Sequence, residues 1–218
     1  MQLDRFYPIF DSAEWVRRLV PLGIKLVQVR IKDMPDDELR AELRECAALC
    51  GAHGCQLVVN DYWQIAIEEG FDFVHLGQED LDDADVMAIR DAGIRLGVST
   101  HDDAELERAL NLHPDYLALG PVYPTILKKM KWQHQGLGRL TEWRHRIGGI
   151  PLVAIGGMSV ERAAGAFEAG ADIVSAVTDI TLNADPQARV GEWIAATKPA
   201  QPHAGPSDSA ITRAGPNR

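Results

Sequence analysis

The chain has 218 residues, 46% of them hydrophobic and 25% charged, which is the composition of a folded domain with a full core and excludes global disorder. At about 150 residues per domain, this length predicts one architecture or at most two small ones. Lys and Arg number 22 against 32 Asp and Glu, a net charge of −10; nucleic acid is therefore not expected as a partner, and any anionic ligand needs a local cluster of cations.

The opening Met1-Gln2-Leu3-Asp4-Arg5 lacks a basic region followed by an apolar stretch. No later apolar run approaches the ~18 residues of a membrane helix, so a soluble cytoplasmic protein without membrane contact is expected. The predicted strands, in chain order, are Phe6 to Phe10, Lys25 to Arg30, Gln56 to Asn60, Phe73 to Leu76, Arg95 to Ser99, Tyr116 to Gly120, Leu152 to Ile155 and Ile173 to Val177. Most are continuous apolar runs, as strands covered on both faces should be, and nearly every gap between them carries a helical pattern. Ser12 is placed to cap the first helix, Gly51, Gly70, Gly93 and Gly170 to follow the ends of later ones, and Asp185-Pro186 to open the last.

Eight strand–helix units in about 200 residues predict a single-domain (β/α)8 TIM barrel in the α/β class. The rival is an open doubly wound sheet, but no glycine-rich fingerprint follows Phe10. The barrel domain is expected to span 1–197. From Lys198 to Arg218 the chain has four prolines and no apolar period, and it is expected to be a disordered tail. Pro121 to Thr141 shows no convincing helical period and carries several basic residues, so it reads as a lid.

Cys46, Cys50 and Cys55 are odd in number, which argues against a disulfide framework and fits a reducing compartment. With His53 they admit a metal reading, but zinc motifs have tighter paired spacing, and buried free thiols are the preferred expectation.

A parallel barrel builds its active site at the carboxyl ends of its strands. Period-two alternation sends Gln28, Arg30 and Lys32 to one side, and two cations with an amide suggest an anion; the competing reading is a solvated strand end paired with Asp33 or Asp36. Adjacent strand ends bring Asp61 and Asp80 together, a setting for a hard divalent cation such as Mg2+; alternatively both cap helices. His75 reads as a satisfied core histidine. Ser99 at the fifth strand end is placed to hold a phosphate or cap the next helix, and a hydrolytic pair with His75 or His101 lacks an evident third group. After the sixth strand come Thr125 and then Lys128, Lys129 and Lys131, able to close over an anion. The loops at Gly156-Gly157 and Val177-Thr178 stand where these barrels bind phosphate. This inventory predicts two anionic sites, one with a divalent metal, and suits departure of a metal-bound pyrophosphate, with Arg30 and Lys32 stabilising the leaving charge.

The segments Gln28-Val29-Arg30-Ile31-Lys32, Asn60-Asp61, His75-Leu76-Gly77-Gln78-Glu79-Asp80, Gly97-Val98-Ser99, Gly120-Pro121-Val122-Tyr123-Pro124-Thr125 with Lys128, and Ile155-Gly156-Gly157 resemble, in order and spacing, the motifs of the thiamine phosphate synthase family. The resemblance implies a transferase that couples hydroxymethylpyrimidine diphosphate to hydroxyethylthiazole phosphate, releasing pyrophosphate through a carbocation-like state. It implies that Gln28 through Lys32 and Asn60 contact the pyrimidine diphosphate, with Arg30, Lys32 and Lys128 on its phosphates. It further implies that Asp61 and Asp80 bind magnesium, that Ser99 touches the pyrimidine, and that Thr125, Gly157, Val177 and Thr178 face the thiazole phosphate. One departure is Leu127, where many members have a second threonine. The alternatives are a thiazole tautomerase of the same fold and a non-catalytic sensor of thiamine phosphate. Small-molecule substrates are expected as partners, with self-association left open.

Overall fold

Eight parallel strands close on themselves in sequence order, from β1 through β8 and back to β1. The computed structural model describes residues 3–125 and 134–199. The strands are β1 (Phe6–Phe10), β2 (Leu26–Val29), β3 (Gln56–Asn60), β4 (Phe73–Leu76), β5 (Arg95–Thr100), β6 (Tyr116–Leu119), β7 (Leu152–Ala154) and β8 (Ile173–Ala176). Between and after them lie α1 (Ala13–Leu19), α2 (Asp36–Ala52), α3 (Trp63–Glu69), α4 (Asp80–Asp83), α5 (Val86–Asp91), α6 (Asp103–Asn111), α7 (Gly136–Ile147), α8 (Val160–Glu168), α9 (Thr178–Thr181) and α10 (Pro186–Thr197), with a 3-10 turn at Val20–Leu22. The expected barrel is present, and each of the eight expected strands is found, with ends differing by one residue at most.

Alternation along the strands sorts side chains into two cores. Tyr7, Leu26, Val58, Phe73, Tyr116, Ala118, Val153 and Ile173 form one buried cluster inside the barrel. Residues of opposite parity, such as Phe6, Val27, Val59, Val74 and Leu117, join the helices in a larger outer core. The Phe6 ring stacks on Trp193 of α10 with centroids 5.3 Å apart, which fixes the last helix against the first strand.

Three local expectations are corrected. Ser12 sits at the start of α1 but makes no capping bond; the first helical amide, Ala13 N–H, donates to Glu42 Oε2 of α2 at 2.8 Å instead. Gly51 lies within α2, because Gly54 rather than Gly51 takes the left-handed position, at φ 59°. The stretch from Pro121 to Thr141 is helical from Gly136 onward. Its buried Leu140, Trp143 and Ile147 follow helical spacing, which becomes legible only when the window runs past Thr141. By contrast, Asp85, Asp102 and Asp185 each accept from a first-turn amide of the helix they precede.

Cys46, Cys50 and Cys55 are buried free thiols. Among the described residues, no helix is long and apolar enough to cross a membrane. Residues 200–218, most of the expected tail, lie outside the described residues, as do Ile126, Leu127, Lys128, Lys129 and Lys131 of the expected lid.

Candidate active site

The parallel closure places the carboxyl ends of all eight strands on one rim, and the nominated polar residues that are described stand at or just past those ends; Lys128 lies outside the described residues. Val27, Val29 and Ile31 are all buried in the outer core, so Gln28, Arg30 and Lys32 keep the opposite parity through the strand end, as expected. Gln28 is 3% exposed in the barrel interior, and Arg30 and Lys32, past the last residue of β2, are exposed.

Asp61 follows β3 with φ at 65°, a left-handed conformation that Asp tolerates better than most side chains. Its N–H donates to the His75 carbonyl at 2.9 Å, and its carboxylate is ion-paired with Lys32. It does not cap α3, where Tyr62 holds the capping position without a side-chain bond. Asp80 Oδ2 accepts from Gly77 N–H at 2.9 Å, closing the loop between β4 and α4. The Asp80 carboxyl is held above the ordinary range, first by burial and then by the nearby Asp61 charge; the Gly77 N–H and then Lys32 oppose this. The two carboxylates are therefore close enough to interact, as the adjacent strand ends led us to expect. No group of three His, Cys, Asp or Glu side chains suited to a metal forms among the described residues. Two hard oxygen donors nevertheless fit an ion such as magnesium, which commonly uses one or two carboxylates and completes its shell with water and phosphate.

Below this charged layer a hydrogen-bonded chain crosses the barrel interior. Gln28 Nε2 donates to Tyr7 Oη at 2.9 Å, Tyr7 Oη lies 2.8 Å from Tyr116 Oη, and Tyr116 Oη lies 2.7 Å from His75 Nδ1. His75 Nε2 is 2.7 Å from Ser99 Oγ. His75 is thus a satisfied core histidine, its pKa lowered to about 4 chiefly by burial, with Arg30 adding to the effect and Asp61 opposing it. Tyr116 supplies the third group that the sequence did not show for a Ser99–His75 pair. An imidazole titrating so low is a poor general base at neutral pH, so the pair does not make a hydrolytic nucleophile.

Sequence reasoning missed Tyr7 and Tyr116, although both fall on the inward parity of their strands, where a phenol must find a partner. It also gave no weight to Ser175. The Ser175 hydroxyl, the Asn60 Nδ2 amide and the Gln78 Oε1 carbonyl are buried without a hydrogen-bond partner among the described residues. Gln78 is anchored by its other end, Nε2 donating to the Ser99 carbonyl at 2.7 Å. Unmet polar groups of this kind are costly unless a ligand completes them.

Thr125 and Gly157 lie on two loops that are tied together. Val122 N–H donates to the Ile155 carbonyl at 2.8 Å and Tyr123 N–H to the Gly156 carbonyl at 3.0 Å. Gly156 and Gly157 both have positive φ, at 90° and 63°. A Cβ on Gly156 would fall 2.6 Å from Pro121 Cα, and one on Gly157 would strike the carbonyls of Tyr123 and Pro124. This pair of glycines therefore exists for close approach to the loop carrying Thr125. Arg162 lies over the Tyr123 ring, 4.5 Å from its centroid, and donates to the Gly157 carbonyl. Thr178 opens α9, preceded by Val177.

Comparison with known proteins agrees with this arrangement. Residues 6–180 match the family model described as thiamine monophosphate synthase. The chain is 62% identical over 199 residues to the thiamine-phosphate synthase of Rhizobium etli, covering 91% of this chain and 98% of that one. It is 46% identical to the thiamine-phosphate synthase of Neisseria meningitidis serogroup B, covering 85% and 91%. Among solved structures, the thiamine phosphate pyrophosphorylase from Pyrococcus furiosus superposes with a TM-score of 0.79 at 26% identity, covering 88% of this chain and 95% of that one. With its closed barrel, its paired carboxylates and this extent of similarity, the chain belongs to the thiamine monophosphate synthase family.

Proposed function

We propose that the barrel makes thiamine phosphate by joining the methylene carbon of hydroxymethylpyrimidine diphosphate to the ring nitrogen of hydroxyethylthiazole phosphate. The carbon–oxygen bond to the diphosphate breaks first, and pyrophosphate leaves with the bonding pair. The thiazole nitrogen lone pair then forms the new carbon–nitrogen bond. Arg30, Lys32 and Lys128 meet the charge that grows on the departing pyrophosphate, where cationic donors contribute most. Asn60 directs its unpaired Nδ2 donor to the diphosphate, and Gln28 and Ser99 hold the pyrimidine. Thr125, with the backbone at Gly157, Val177 and Thr178, takes the thiazole phosphate.

Asp61 and Asp80 would hold Mg2+, which when bound neutralises pyrophosphate charge as a Lewis acid. Before substrate arrives, Lys32 partners Asp61; the diphosphate then offers Lys32 an alternative anion. Residues 198–218 are proposed to be a tail without part in the reaction.

The observation that carries this reading is the grouping of Lys32, Asp61 and Asp80 beside a buried amide donor with no partner among the described residues. Incubating the protein with both substrates and magnesium should yield thiamine phosphate and pyrophosphate in equal amounts, and absence of either product would refute it.

A further inference from the structure

The hydroxyls of Tyr7 and Tyr116 stand inside the barrel where apolar side chains would fill the space equally well. Tyr116 is accommodated at the expense of its neighbour: a Cβ on Gly97 would overlap its ring. The ring also stacks on His75, with centroids 5.5 Å apart and planes 12° from parallel, and meets Tyr7 edge-on at 5.7 Å. Both tyrosines are 1% exposed or less, so their hydroxyls must be paired within the protein.

The pairing has a direction. The Gln28 amide nitrogen has no lone pair and can only donate, so Tyr7 Oη accepts from it. A Tyr7 proton left unpaired in the barrel interior would be costly, so the arrangement that pairs every hydroxyl proton sends it to Tyr116 Oη and the Tyr116 proton to His75 Nδ1. An Nδ1 that accepts leaves the His75 proton on Nε2, facing Ser99 Oγ. Ser99 therefore accepts from His75, and its own proton points away from the imidazole.

We propose that Tyr7 and Tyr116 are positioning residues for the transfer: through His75 they turn Ser99 into a hydrogen-bond donor, selecting a pyrimidine that presents an acceptor atom to it. This rests on the reading that Ser99 meets the pyrimidine substrate. Neither tyrosine touches substrate. The effect of Tyr116 reaches it through one imidazole and one hydroxyl, and Tyr7 in addition accepts from the Gln28 amide, which is why the mutant cycle is run on Tyr116.

The test combines a tautomer measurement with a mutant cycle. In the wild-type protein, 15N NMR of His75 should show Nε2 protonated and Nδ1 bare; the opposite tautomer would overturn the proposal without any variant being made. Tyr116→Phe and Tyr7→Phe should each raise the Michaelis constant for the pyrimidine substrate about tenfold, the equivalent of one neutral hydrogen bond, and leave that for the thiazole substrate unchanged. Tyr116→Phe should also lose the single His75 tautomer. In the Ser99→Ala background, Tyr116→Phe should have almost no further effect, because the path to substrate is already cut. Additive effects, or equal changes in both Michaelis constants, would mean that the tyrosines act only through packing and would overturn the proposal. If Ser99→Ala alone leaves the pyrimidine constant unchanged, the assignment of Ser99 to that substrate fails, and the positioning role fails with it whatever the tautomer.

Discussion

The Lys32 ammonium group is ion-paired with the Asp61 carboxylate across the ends of β2 and β3, with the lysine side chain 45% exposed and the aspartate 15%. A half-exposed pair of this kind adds little stability. In the proposed function its value would lie in exchange: each partner would be drawn off by a stronger charge of opposite sign, the cation by the diphosphate and the carboxylate by the metal.

The carboxylate pair gives the first expected outcome. Asp61→Asn and Asp80→Asn keep their shape and lose a charge, so each should raise the magnesium concentration needed for activity. Titrating activity against magnesium measures this, and unchanged dependence in both variants would assign the pyrophosphate to Arg30, Lys32 and Lys128 alone.

The same pair predicts a pH effect without metal. The folded-state pKa of Asp80 is raised, chiefly by burial and then by Asp61. Its proton is thus bound more tightly in the folded than in the unfolded chain, and stability falls as pH rises from the unfolded carboxyl range through the folded pKa. Asp80→Asn removes that slope. Its melting temperature in chelator should match wild type under acid conditions and exceed it at neutral pH.

A third outcome concerns the barrel interior. Gly97→Ala places a methyl group inside the Tyr116 ring position, an overpacking that typically costs about 1 to 3 kcal/mol. Urea unfolding should show the loss, and Gly97→Ala combined with Tyr116→Leu should recover part of it.

Arg189 offers a fourth. It is 13% exposed and binds Asp179, Glu161 and Glu192, while Asp179 also accepts from Trp193 Nε1 at 2.8 Å. Arg189→Met should cost about 2 to 3 kcal/mol, because the 17%-exposed Asp179 carboxylate loses its cation. Asp179→Asn in the same chain should restore stability if that charge is the cause, as thermal melts would reveal.

The chain beyond α10 gives a fifth. The helix finishes within itself, Thr197 Oγ1 donating to the Trp193 carbonyl at 2.9 Å. Truncation after Thr197 should leave activity and melting temperature nearly unchanged; a fall of several degrees would show that the removed residues dock.

The order of elements was legible because strands buried on both faces read as unbroken apolar runs, as in Tyr116–Leu119 and Leu152–Ala154. The rim was legible too: Asp61 directly follows β3, and Asp80 stands four residues past the end of β4. Alternation held even past Val29, with Ile31 buried alongside Val27 and Val29 while Arg30 and Lys32 are exposed. Tyr7 and Tyr116 escaped notice because a tyrosine within an apolar run reads as core. Only the closed ladder, pairing Gly97 with Tyr116 and His75 with Gly97, reveals that their hydroxyls meet.

The loop after β6 leaves and returns at almost one point. Pro121 and Val122, where it departs, accept from the amides of Gln135 and Gly136, where α7 begins, at 2.7 and 3.0 Å. Closure there fixes the start of α7 by two backbone bonds at the end of β6, so a change in the number of residues between those anchors alters a slowly growing loop entropy, about 0.6 kcal/mol for each doubling, while the anchors themselves hold strand and helix in place.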